Sequence, residues 1–105
     1  MNNFTAIYKI LSTLEKAMDL SEFDVEKIGP EKIGISEERW KHIMEMLVDC
    51  GYIKNVIVEE STLGLDIEVG DIRITLSGLE YLRENSMMRK IYNAAKGVKD
   101  ITPFV

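Results

Sequence analysis

His42 stands four residues after Glu38 and three before Glu45, which puts an imidazole and two carboxylates on one side of a helix, a donor set able to hold a divalent cation. Metal sites of that kind draw on a further histidine or thiolate at a useful spacing, and the chain supplies one His and one Cys in all. The trio therefore reads as a solvated face of charge pairs. Cys50 adjoins Gly51 with no neighbouring His or basic residue to activate it, so it reads as an inert thiol. A single cysteine also excludes an intramolecular disulfide and a site of several thiolates. Asp66, Glu68 and Asp71 alternate along one stretch, but the central glycine and closing glutamate of a calcium loop are missing. No phosphate-cradling glycine loop, paired-carboxylate motif or nucleophile with its base is found. A non-enzymatic protein without metal or cofactor is the expectation.

Charge narrows the partners. The 105 residues are 46% hydrophobic and 30% charged with a net charge of -5, which suits one folded domain and opposes any general attraction to phosphate backbones. The absence of a long apolar run or a basic-then-apolar leader leads us to expect a cytoplasmic protein with no membrane partner. The charge is uneven: between Ser86 and Val105 four bases (Arg89, Lys90, Lys96, Lys99) face the single acid Asp100, so this segment carries +3 and residues 1–85 carry -8.

Phe4, Ile7, Tyr8, Leu11, Leu14 and Met18 step by three and four and predict a helix from about Asn3 to Asp19, capped by Asn2 or Asn3. Gly29, Pro30 and Gly34 punctuate the next segment, and Pro30 suits the first position of a single turn reaching Ile33. "SEERWKHIMEMLVDCG" predicts a longer helix with Ser36 as N-cap, Glu37 and Glu38 at its positive end, an inward face of Trp40, Ile43, Met44, Leu47 and Val48, and Gly51 just past its end. "YIKNVIVEE" and "LDIEVGDIRITL", separated by "STLG", predict a hairpin of two or three strands. In "ITLSGLEYL" the spacing suggests a capping box, with Ser77 at N-cap and Glu80 at N3, stapled by Leu76 and Tyr81. A last helix is expected from Ser86 to about Lys99.

Helix, short helix, helix, hairpin, helix is the order of a winged helix-turn-helix domain. "MLVDCGYIKNV" looks like a third helix running into the first wing strand, and "ITLSGLEYLRENS" is similar to the corner after the wing in many such domains. With the tail "SMMRKIYNAAKGVKD", the chain resembles the YjcQ-like family of winged-helix proteins of bacteria and phages. The resemblance implies an α+β, mainly α, winged-helix fold over residues 1–105, with 86–105 a basic C-terminal helix and tail, in a phage or prophage setting. It implies no reaction.

Winged-helix analogy makes duplex DNA the first candidate partner, in a regulatory role. Arg39, Lys41, Lys54 and Arg73 are the residues that could contact it. Against this, Glu37 to Asp49 holds four acids and two bases, and Asn55 to Ile72 holds Glu59, Glu60, Asp66, Glu68 and Asp71 with no Lys or Arg. The alternative is a protein-interaction module, acting on a phage or host protein through the acidic wing or the C-terminal helix. Homodimerisation is a third possibility, along the seam Met88, Ile91, Ala95 and Val98.

Overall fold

The structure is a computed structural model that describes residues 1–85 together with Lys90 and Ala94, both helical and exposed. The expected closing helix otherwise lies outside the described residues. Among the described residues 1–85 the architecture is α+β and mainly helical, four helices and one two-stranded antiparallel hairpin, an arrangement compatible with a winged helix.

Helix α1 spans Asn3–Lys16 and tightens into a 3₁₀ turn over Ala17–Asp19. Its start is fixed by Asn2, whose Oδ1 accepts from the Thr5 N–H at 2.8 Å. The buried face is Ala6, Tyr8, Ile10, Leu11 and Leu14. Phe4 and Met18, expected on that face, are 61% and 56% exposed. The reason is that α1 is central: the hairpin, the short helix at Pro30–Ile33 and the helix at Leu76–Glu84 all meet it, so its buried arc is broad and turned toward Ala6 and Ile10.

A 3₁₀ turn at Val25–Ile28, held by Asp24 Oδ1 accepting from the Glu26 N–H, drives Ile28 into the core. Helix α2 is the single turn Pro30–Ile33, ended by Gly34 at φ 92°. Helix α3 runs Glu37–Asp49, with Ser36 Oγ accepting from the Arg39 N–H at 3.1 Å. Its apolar face buries Ile43, Met44 and Leu47, while Trp40 is half-buried and donates its indole N–H to the Ile28 carbonyl at 2.7 Å. The end of α3 is a Schellman motif: Gly51, at φ 73°, donates to Val48 O, and Tyr52 donates to Leu47 O at 2.9 Å.

Strand β1 (Ile53–Ser61) pairs with β2 (Gly64–Ile74) across a two-residue tip formed by Thr62 and Leu63. The register runs Ile53↔Ile74 and Lys54↔Arg73, then jumps to Val56↔Val69, Val58↔Ile67 and Glu59↔Asp66. At the jump Asn55 takes φ 68° and donates its Nδ2 hydrogen to Asp71 O at 2.6 Å. The bulge has a purpose legible in the side chains. Leu65, Ile67 and Val69 occupy odd positions and Ile72 and Ile74 even ones, so an uninterrupted two-residue period would turn one set away from the apolar face. With the bulge, Ile53, Ile72 and Ile74 stay buried and Val56, Ile67 and Val69 pack against the core.

Helix α4 spans Leu76–Glu84, and its cap lies two residues before the expected one. The N-cap is Thr75, not Ser77; its hydroxyl oxygen accepts from the Gly78 N–H at 3.2 Å and its O–H donates to Gly51 O. The Thr75 N–H donates to Tyr52 O at 3.0 Å. Thr75 prevails because it alone reaches the carbonyls left by the end of α3, while Leu76, expected as a staple, is 72% exposed. The same closeness requires Gly78: a Cβ there would lie 2.5 Å from Tyr52 O and 2.6 Å from Ile74 Cγ1. The Tyr52 and Tyr81 rings meet across this corner with centroids 5.1 Å apart, and burial, then the neighbouring Tyr52, raise the Tyr81 phenol pKa.

These contacts set expectations for denaturation experiments. Thr75→Ala should cost about 1–2 kcal/mol, while Ser77→Ala should stay within about 0.5 kcal/mol of wild type. Gly78→Ala, which in an open helix would help by up to about 1 kcal/mol, should instead destabilise by roughly 3 kcal/mol because backbone must shift to admit the methyl.

Candidate functional site

The four cations proposed for a DNA face do not form one patch. Arg39 lies in the first turn of α3 and donates Nη1–H to Met1 O at 3.2 Å, and Lys41 is half-buried. Lys54 and Arg73 lie beyond the other end of α3, as direct cross-strand partners at the hairpin base. The ten helical steps from Arg39 to Asp49 alone advance about 15 Å. Arg73 is also engaged: its Nε–H and Nη2–H both donate to Asp71 Oδ2, at 3.3 and 3.1 Å. That pair is exposed on both sides, so it adds little stability, yet it offsets charge that a phosphate would need. Lys54 and Arg73 line a shallow cleft of about 250 Å³ whose apolar wall is Leu14, Met18, Leu20 and Phe23 from the end of α1 and the loop after it.

The face that α3 leaves exposed carries Glu37, Glu38, Arg39, His42, Met46 and Asp49. Among the described residues no group of three or more His, Cys, Asp or Glu is placed to hold an ion, His42 with Glu38 and Glu45 included. Cys50 is exposed at the C-cap of α3. The proposed seam of Met88, Ile91, Ala95 and Val98 lies outside the described residues.

The hairpin divides its residues by face. On one side Val56, Val58, Leu65, Ile67 and Val69 are half-buried. On the other, the pairs Ile57↔Glu68 and Glu59↔Asp66 share a single exposed surface, with Ser61↔Gly64 leading to the tip. Glu59 and Asp66 are thus like charges set directly opposite, an arrangement that costs stability. Among the described residues no cation answers them, and the sequence offers none between residues 55 and 72. At the tip, Leu63 N–H donates to Ser61 Oγ and Gly64 takes φ 116°, leaving Leu63 97% exposed. Ile57 is 55% exposed on the acidic face. Sequence reasoning finds these acids from composition but passes over Leu63 and Ile57; an apolar residue at a two-residue tip is the available signal.

A small, mainly helical α+β domain that projects an acidic hairpin is therefore the class that fold and surface define. A family model described as YjcQ protein matches residues 8–101, nearly the whole chain, and the chain belongs to that family. No curated protein and no solved structure matches it significantly. No described helix is long and apolar enough to cross a membrane.

If Glu59 and Asp66 stand opposed at the expense of stability, changing one should relieve it. Asp66→Lys should raise stability by about 0.2–1 kcal/mol at low salt, a gain that shrinks at high salt; thermal melts at two ionic strengths measure this.

Proposed function

We propose that the protein is a non-enzymatic binding module on a winged helix-turn-helix scaffold, with a regulatory role, and that it engages a protein partner through its acidic wing. The carrying observation is the exposed surface of Ile57, Glu59, Asp66 and Glu68, in an 18-residue span, Asn55 to Ile72, that contains no Lys or Arg. A wing lying on a DNA backbone works by supplying cations that displace condensed counterions. This wing would instead bring carboxylates against phosphates, and the exposed acids of α3 would do the same in a groove. A phage or host protein with a basic surface gains from the same charges.

Duplex DNA is the second reading, supported by the order of the elements and by the adjacency of Lys54 and Arg73. Those two cations share their cleft with Asp71, and Arg39 and Lys41 stand at the far end of α3. Four phosphate contacts would give a log–log salt slope of about -3.6.

Fluorescence anisotropy on random duplex DNA across a salt series separates the two readings. The expected result is no saturable binding even at low salt. Tight binding with a slope near about -3 or steeper would overturn the protein-partner reading.

A further inference from the structure

The acidic hairpin has a shape as well as a charge. Its tip places Leu63 almost wholly in solvent, and Ile57 lies half-exposed further down the same projection, on the surface that bears Glu59, Asp66 and Glu68. One exposed leucine is ordinary on a protein surface. Two apolar residues set among carboxylates that no described cation answers, on a strand pair that tolerates a like-charge opposition, are harder to account for by solubility alone.

The candidate occupants differ in chemistry. Nucleic acid and anionic lipid surfaces repel the five carboxylates between Asn55 and Ile72. A second hairpin of the same kind would set like charges against each other along its edge. A protein surface that is basic around an apolar hollow complements both features: the hollow takes the leucine out of water and the rim meets the acids. We infer that the hairpin is a recognition finger, with Leu63 as its apolar anchor supported by Ile57, and Glu59, Asp66 and Glu68 meeting a basic rim on the partner.

This inference rests on the protein-partner reading and adds the anchor. The bulge at Asn55 and the corner at Thr75 fix the finger's base, where Ile53, Ile72 and Ile74 are buried, so substitutions at the tip leave the core untouched. Leu63→Asp is informative because it preserves, and even strengthens, the attraction for a basic partner while removing the apolar contact.

The test uses the full chain, isotope-labelled, titrated with an amphipathic helical peptide of leucine and lysine, and in parallel with its leucine and glutamate counterpart. Saturable amide shifts centred on Ile57, Glu59, Leu63, Asp66 and Glu68 are expected with the lysine peptide and none with the glutamate peptide. Leu63→Asp should weaken the lysine peptide about tenfold, and Asp66→Lys with Glu68→Lys by at least as much. Corner signals at Tyr52 and Gly78 should stay in place in both variants. If the charge reversals abolish binding while Leu63→Asp leaves it unchanged, the finger is overturned and the acidic protein-binding wing stands. If the lysine peptide leaves the hairpin unshifted, both fall. Self-association of the unliganded chain that Leu63→Asp abolishes would assign the tip to a second copy and overturn the basic partner.

Discussion

Thr75 holds three parts of the chain with one residue. Its O–H donates to Gly51 O at the end of α3, its N–H donates to Tyr52 O where β1 is about to begin, and its hydroxyl oxygen caps α4 through Gly78 N–H. The carbonyls of Gly51 and Tyr52 lie just past the Schellman turn and would otherwise need water. Gly78 completes the junction by having no Cβ, which lets the Tyr52 carbonyl approach the first turn of α4. A hairpin of two strands is marginal by itself. This one stands because its base, Ile53, Ile72 and Ile74, is buried under α1 and α3 and is fastened by that threonine.

The consequence is a division of labour along the hairpin. Near the corner the strands are core, and the Asn55 bulge resets their phase so that Val56, Ile67 and Val69 still pack inward. Beyond it, the opposite face meets no neighbour among the described residues and holds a charge pattern that folding would not choose. Surfaces where local stability is given up without a packing return are where binding is usually found. Glu59, Asp66, Glu68 and the exposed Leu63 lie together on that outer part, while Lys54 and Arg73 lie at the base and Arg39 and Lys41 across α3.

Much of this architecture is legible in the sequence, and the failures have physical causes. The Ser36 cap, the single turn begun by Pro30 and the Gly51 stop are read from local residues, and local contacts decide them in the structure. The capping box at Ser77 fails because cap choice at α4 is set by carbonyls more than twenty residues away in sequence, which a spacing rule cannot sense. Phe4 and Met18 fit the α1 stripe by period, yet the neighbours that crowd α1 select a different arc. The phase change from Val69 to Ile72 is visible as an odd step in an alternating pattern, and a bulge is its meaning. For the surface, the acidity of the hairpin is legible from composition, whereas the separation of Arg39 and Lys41 from Lys54 and Arg73 needs the fold.

The claim on which the rest depends is that the corner, and not the strand ladder, holds the hairpin to the body. Residue-resolved hydrogen exchange under native conditions tests it most directly. The amides of Tyr52, Thr75 and Gly78 should open only with global unfolding, and those of the outer hairpin from Glu59 to Glu68 should open at distinctly lower free energy. Corner amides that exchange as readily as the hairpin tip would contradict the account.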